Sequence, residues 1–186
     1  MIDSSQSLTQ RIRVPLGFLF GAAFLWLAPR YTSPDRLAIG GVIAFIGVLI
    51  RTWSTGHIVK NENLTTTGPY ARTRNPLYLG SFLLALGFAI AAHWIAVLLV
   101  VAFWIVVYGP TIQRERDYLR GLYGAAYAEY EEHVPAFVPR LTAWAGPAGA
   151  DRSGGFSFPL YMRHREWQAG FGFVVVLLWL LFSPFR

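Results

Sequence analysis

A short polar stretch, GPYARTRNPLYLG at residues 68–80, joins two long apolar stretches of the sequence. Pro76 suits the first turn of a helix, and Asn75 directly before it suits the capping position. The free N–H groups and the positive dipole end of such a helix lie beside Arg72 and Arg74, and together they favour an anionic group such as a carboxylate. The stretch therefore predicts a small-molecule site at the start of a helix.

The first turn of that predicted helix also carries residues that suit the wall of a ligand site. Tyr78 supplies a ring, Leu79 an apolar surface and Gly80 a close approach of the backbone. A plain membrane anchor would need none of these residues beyond a basic flank. The pattern therefore indicates binding as well as anchoring.

Glu115 is the second residue whose setting suggests chemistry. It lies in TIQRERDYLRGLY, which follows Gly109 and Pro110 and has the pattern of an amphipathic helix outside the membrane. Its spacing from Tyr118 and Leu119 places it on a face with apolar residues. Two interpretations stay open: a glutamate at the surface, or one that leans over the mouth of the predicted site.

Arg51 is a charged residue within the second apolar stretch. A charge inside a spanning segment is costly and tends to face a cavity or a partner. Lys60 follows only a few turns later, so Arg51 could equally extend its side chain to the interface. His57 has no second histidine at ligand spacing, and no metal site is predicted.

The composition identifies the class of protein that must position these residues. Of 186 residues, 54% are hydrophobic and only 14% are charged, whereas soluble domains carry about 25% charged residues. No cysteine is present, which excludes disulfides and thiolate sites. The net charge of +6 is spread between the apolar runs, so it indicates lipid head groups as partners and no nucleic acid.

The apolar pattern predicts an all-α membrane protein with about five membrane-embedded helices and a cytosolic helical extension between the fourth and the fifth. Only His93 and its neighbours separate the third and fourth helices, which predicts a tight hairpin. Lines of small residues in the first two helices predict close helix packing. The predicted helices cover residues 14–28, 37–59, 76–92, 94–111 and 169–182.

A single domain over residues 1–186 is predicted, with a core motif region at 51–140 and a connector and last helix at 141–186. A cytoplasmic N-terminus would place twelve of the sixteen basic residues on the cytoplasmic side. Because Lys and Arg are enriched in cytoplasmic loops, this orientation is expected, with the active site facing the cytoplasm.

The sequence resembles the integral-membrane methyltransferases that include isoprenylcysteine carboxyl methyltransferase and the phospholipid N-methyltransferases. The resemblance covers roughly residues 51–140. It is carried by an ordered series of motif residues: Gly68, Pro69, Tyr70, Arg74, Asn75, Pro76, Leu77, Tyr78, Leu79, Gly80, Glu115, Leu119, Gly124, Tyr127, Tyr130, Val134, Pro135 and Pro139. Asn75 stands where the family commonly has histidine, and Arg116 where a second glutamate is usual.

The resemblance implies S-adenosylmethionine as the methyl donor, bound where two helices meet the cytosolic face. Carried over residue by residue, the implied cofactor-binding residues are Tyr70, Arg74, Asn75, Pro76, Tyr78, Leu79, Gly80 and Glu115. The helix start suits the carboxylate of the donor, and Glu115 suits its amino group or ribose. Asn75 cannot titrate, which excludes it as a general base.

The implied acceptor is a lipophilic or lipid-modified molecule that enters from the bilayer. A carboxylate acceptor is already ionised and needs only cationic positioning, for which Arg51, Arg140 and Arg114 are the candidate catalytic residues. This arginine-rich setting favours carboxyl O-methylation of an isoprenylcysteine-like substrate. Two alternatives remain: N-methylation of a phospholipid or small amine, and a non-catalytic transporter or scaffold. The sequence indicates no oligomeric state.

Overall fold

The computed structural model describes residues 8–58, 64–146 and 155–183. Within those ranges every regular element is a helix and no strand occurs, which confirms the predicted all-α class. The helices are α1 (Leu8–Leu27), α2 (Pro34–Thr55), α3 (Pro76–Ala92), α4 (Trp94–Phe103), α5 (Gly109–Tyr123), α6 (Ala125–His133), α7 (Phe158–Arg163) and α8 (Trp167–Phe182).

Two helices are long and apolar enough to cross a membrane by length and composition. They are α2 and the continuous helix Trp94–Tyr123, which joins α4 to α5. Shorter apolar helices are Gly17–Arg30, Pro76–Ala92 and Trp167–Phe182. The prediction of five membrane-embedded helices therefore stays a prediction beyond these two.

The pair α2 and α3 forms the packed centre of the fold. A methyl group added at Gly40 would lie 2.3 Å from the carbonyl oxygen of Gly87, and one added at Gly47 would lie 2.5 Å from the backbone nitrogen of Leu84. Such close approach needs small residues, and it confirms the packing predicted for α2. The same prediction is wrong for Gly17 and Gly21 of α1, where an added methyl would meet no atom within 4 Å.

The hairpin between α3 and α4 turns at His93 alone, as predicted. The chain then continues through a wider π-helical segment, Trp104–Tyr108, into α5. The fourth helix was predicted to leave the membrane near residue 111 and continue outside it, and the observed helix runs unbroken to Tyr123. It ends at Gly124, whose φ of +52° falls in a region that side chains disfavour.

The segment after α6, residues 134–144, lies against the loop that precedes α3, and we call it the strap. Backbone N–H groups of Arg140 and Trp144 donate to the carbonyl oxygens of Arg72 and Ala71, at 2.9 and 2.8 Å. The strap therefore fixes the loop in which the opening motif lies.

The C-terminal helices dock on the end of α2. The backbone N–H of Ser157 donates to the carbonyl oxygen of Gly56 at 2.8 Å, and the ring of Phe156 covers the same glycine. Part of the predicted connector, residues 147–154, lies outside the described residues. The turn between α7 and α8 contains Arg165 at a φ of +53°, a conformation that a residue other than glycine adopts at a cost.

Candidate functional site

A large open cavity of about 1120 Å³ lies where the C-terminal end of α2 meets the start of α3 and the middle and end of α5. Typical small-molecule sites measure about 300–1,000 Å³. One wall comes from α1, and another from the turn before α8. The cavity has room for more than one small ligand and lies at the helix ends where the polar motif was found.

Six of the eight residues predicted to bind a cofactor line this cavity: Tyr70, Arg74, Asn75, Pro76, Tyr78 and Glu115. The other two lie behind the wall. Leu79 is buried, and Gly80 packs against the backbone of Gly47 and the side chain of Arg51. The structure thus brings together the start of α3 and Glu115 from α5, while binding by these residues stays a prediction.

Tyr70 offers an unsatisfied polar atom to the cavity. The residue is only 7% exposed, and its hydroxyl has no hydrogen-bond partner among the described residues. Tyr130 fixes its position by donating its own hydroxyl to the carbonyl oxygen of Tyr70 at 2.7 Å. Burial, followed by the charge of Glu115, raises the pKa of Tyr70, so the phenol stays protonated and can donate a hydrogen bond to a ligand.

Asn75 occupies the predicted capping position of α3, but its side chain does not cap the helix. The amide instead donates to the carbonyl oxygen of Ala136 in the strap, at 2.8 Å. The capping prediction is wrong in this respect, because the strap offers a carbonyl that the sequence pattern does not reveal. The first N–H groups of α3 therefore have no side-chain cap from Asn75.

Arg74 belongs to a cluster of three arginines around one carboxylate. It pairs with Glu131 of α6. Arg116 and Arg120 of α5 pair with the same carboxylate, each at 2.5 Å. Burial alone would raise the pKa of the Glu131 carboxyl, but hydrogen bonds from Arg74 and Arg116 outweigh it and hold that pKa below its usual range. Three positive charges thus face one negative charge, and the cluster keeps a positive surplus.

Arg51 also lines the cavity, with a partner that the sequence did not reveal. Its Nε lies 2.5 Å from the carboxylate of Glu166, at the start of α8, and its guanidinium also contacts the hydroxyl of Ser81. Of the two interpretations of Arg51, the structure favours the polar cavity over extension to the interface. The charge of Arg51 is therefore already paired with a carboxylate.

Arg140 and Arg114 are not among the described residues that line the cavity. The guanidinium of Arg140 donates to the carbonyl oxygen of His133 at 2.8 Å, so it closes the end of α6. Arg114 is exposed on α5. The geometry therefore gives neither residue contact with the cavity, and the role predicted for each stays without support.

Sequence reasoning missed Glu166, His164 and Glu131. The first two line the cavity but belong to YMRHREW, a basic and aromatic run that is typical of a membrane interface. The partner of Glu166 lies 115 positions earlier in the chain. Glu131 carries no local signal, because its role depends on how α6 folds back at Gly124.

The class that the fold and the cavity define is a helical membrane protein with a polar cavity at the ends of its apolar helices. Residues 36–126 match the family model described as phospholipid methyltransferase. Among curated proteins, the chain is 33% identical over 124 residues to the protein-S-isoprenylcysteine O-methyltransferase of Schizosaccharomyces pombe, covering 63% of this chain and 52% of that one.

Two further relatives have names that refer to metal resistance. The cobalt-zinc-cadmium resistance protein CzcN of Cupriavidus metallidurans is 32% identical, over 62% of this chain and 55% of its own. The nickel-cobalt-cadmium resistance protein NccN of Alcaligenes xylosoxydans xylosoxydans is 30% identical, over 60% and 54%. The chain spans about half the length of the curated relatives it matches. No solved structure matches it.

These matches confirm the resemblance predicted from the sequence. The chain is similar, over residues 36–126, to the phospholipid methyltransferases and, over part of its length, to an isoprenylcysteine methyltransferase.

Proposed function

We propose that the protein is an S-adenosylmethionine-dependent methyltransferase that modifies a lipophilic acceptor in a membrane. One observation carries the proposal: the start of α3 and Glu115 of α5 line a single cavity, inside the region that matches the phospholipid methyltransferase family model. Those are the two parts of the chain that the resemblance links to the methyl donor.

The residues that line the cavity fit the polar groups of that donor. Arg74 brings a positive surplus to the start of α3, which suits a carboxylate. Glu115, for which no ion pair occurs among the described residues, suits an amino group or ribose hydroxyls. The buried hydroxyl of Tyr70 lacks a hydrogen-bond partner that a ligand would provide.

When bound, S-adenosylmethionine supplies a methyl group on a positively charged sulfur. The chain itself aligns the reactants and excludes water from them. Tyr70 and the buried tyrosines Tyr127 and Tyr130 form a wall that helps to exclude water from that end of the cavity.

Two acceptor chemistries have support. Carboxyl O-methylation of an isoprenylcysteine-like substrate is supported by the yeast relative, and N-methylation of a phospholipid or small amine by the family model. The sequence-based preference for the carboxylate rested on Arg51, Arg140 and Arg114. Because Arg51 is paired and the other two lie off the cavity, the choice now depends on the charges in the cavity.

The membrane setting is part of the proposal. Exposed apolar side chains along α4, such as Leu98 at 57% exposure, suit contact with a bilayer. The excess of basic residues on the loops at the cavity end suits a cytoplasmic cavity with about five helices embedded in the membrane. The donor would then enter from the cytoplasm and the acceptor from the bilayer.

The direct test uses the purified protein in lipid vesicles with deuterated S-adenosylmethionine. Mass spectrometry of the extracted lipids should show label in a lipid product. Label that is lost in base identifies an ester, and label that survives identifies a methylated amine.

Binding of the donor should be measured on the same vesicles by titration calorimetry. Glu115→Ala should abolish binding while the protein still inserts, whereas Glu132→Ala, an exposed glutamate outside the cavity, should bind normally. If the unaltered protein binds no donor, the proposed function fails; if Glu115→Ala together with Arg74→Ala leaves binding unchanged, the non-catalytic alternative of a transporter or scaffold is favoured.

A further inference from the structure

The Arg51 end of the cavity contains a charge pair from two distant parts of the chain. Arg51 comes from α2 and Glu166 from the start of α8. Glu166 is 8% exposed and Arg51 24% exposed, so both charges are largely removed from bulk water. The charge of Arg51 is balanced by Glu166, so this end of the cavity attracts a second carboxylate less strongly than an unpaired arginine would.

The backbone around Glu166 is built to present this side chain. Arg165 directly before it adopts a φ of +53°, and Glu166 then occupies the N-cap position directly before α8. A side chain in the left-handed region costs about 1 kcal/mol or more, and such a cost persists where the surroundings enforce it. His164, two residues earlier, lies within 3.3 Å of the carbonyl oxygen of Ile58, which ties the turn to the end of α2.

The charges of the cavity therefore differ from end to end. At the Arg74 end, three arginines share Glu131, and a positive surplus remains for an anion. At the Arg51 end, one arginine faces one glutamate, and no surplus remains. Glu115 adds a negative charge that acts on Tyr70 together with Arg51 and Glu166.

From this asymmetry we infer that Glu166 is a specificity-determining residue for the acceptor. Its carboxylate occupies Arg51, and this end of the cavity therefore disfavours acceptors with an anionic reacting group and admits lipophilic amines. The inference rests on the proposed methyltransferase function and decides between its two acceptor chemistries. A carboxylate acceptor would meet the like charge of Glu166 beside Arg51, whereas an amine finds carboxylates as hydrogen-bond acceptors.

The test compares two acceptors that share one alkyl chain and differ only in a terminal amine or a terminal carboxylate. Their dissociation constants are measured on the protein in vesicles, in the presence of S-adenosylhomocysteine, so that no turnover is required. The unaltered protein should bind the amine more tightly. Glu166→Gln frees the charge of Arg51, and it should improve binding of the carboxylate roughly tenfold, the size of one hydrogen bond to a charged group.

Controls separate a selective role from a structural one. Glu132→Gln should leave the ratio of the two dissociation constants unchanged, and the double variant Arg51→Gln with Glu166→Gln should lose the gain for the carboxylate. A structural role would weaken both acceptors alike. Should Glu166→Gln fail to fold, Glu166→Asp, which keeps the charge, should keep the preference for the amine.

The outcomes distinguish the inference from the function on which it rests. If the unaltered protein binds S-adenosylhomocysteine but prefers the carboxylate, or if Glu166→Gln leaves the ratio unchanged, the role of Glu166 is wrong and the methyltransferase function stands. If no S-adenosylhomocysteine binds at all, the proposed function itself fails.

Discussion

An arginine–glutamate pair and a cluster of three arginines lie at the same cavity, and their charges are balanced differently. Arg51 and Glu166 form a closed pair in which each charge meets one partner, while Arg74 shares Glu131 with two more exposed arginines. A one-to-one pair is self-sufficient, and removal of either member leaves a poorly solvated charge. A cluster with surplus cations tolerates a loss and still attracts an anion. The ratio of charges, rather than the number of arginines, therefore indicates where an anionic ligand binds.

The comparison is tested most strongly by Arg51→Leu, which leaves Glu166 buried without its partner. We expect a loss of up to about 3 kcal/mol in the free energy of unfolding and a loss of turnover that exceeds any loss of donor affinity. Thermal unfolding in detergent and titration calorimetry measure these effects. The double variant Arg51→Leu with Glu166→Leu should recover most of the stability, and no recovery would show that the two charges do not depend on each other.

Arg74→Gln tests the other cluster. Donor affinity should fall about 10–100-fold, as expected for a lost hydrogen bond to a charged group, while stability changes little because Arg116 and Arg120 still face Glu131. Calorimetry and thermal unfolding on one preparation give both values. The matched control is Arg114→Gln, which changes an exposed arginine outside the cavity. If Arg114→Gln lowers donor affinity as much as Arg74→Gln does, Arg74 has no special role in donor binding.

The pH dependence of the Glu131 cluster gives a smaller effect. The pKa of Glu131 is held below its ordinary value of 4.5 in the folded protein. A depressed pKa gives stability that is present above the unfolded value and is lost as the pH falls through the folded one. Titration of Glu131 should therefore leave the unfolding temperature unchanged between about pH 8 and 5.5 and should lower it at pH values under about 4.5. Glu131→Gln should remove this decrease of the unfolding temperature in acid.

The smallest expected effect concerns Asn75, which joins the loop to the strap. Asn75→Asp would be tolerated if the side chain capped α3, because aspartate is an equally good cap. The amide instead donates to the carbonyl oxygen of Ala136, so a carboxylate there loses a donor and faces an acceptor. We expect Asn75→Asp to lose about 1 kcal/mol of stability, measured by thermal unfolding against Asn75→Ala. If Asn75→Asp is as stable as the original protein, the interpretation of Asn75 as a helix cap is correct after all.

The sequence predicts elements well where one local signal decides them. Pro76 and the turn at His93 define α3 with its observed bounds, since proline starts the helix and a single residue ends it. The small-residue line of α2 predicts its close packing for the same reason. Similar spacing at Gly17 and Gly21 misleads, because nothing local indicates whether a second helix lies opposite.

The candidate site shows the same difference between features that depend on local sequence and features that depend on distant residues. Seven of its eight predicted residues lie between Tyr70 and Gly80, and their types suffice to suggest binding. The partners that decide their charge, Glu131 and Glu166, come from later helices, and no spacing rule connects residues 57 or 115 positions apart. Counting arginines in the sequence therefore overestimates the free positive charge.

The wider winding at Trp104–Tyr108 has a consequence for the helix that bears Glu115. Each residue of an α-helix advances by about 100°, and an extra residue accommodated in one turn rotates everything beyond it by that angle. The apolar half and the cavity-lining half of this 30-residue helix can thereby point in different directions without a break. Removing a single residue from this turn would leave a helix that still embeds but aims its glutamate elsewhere.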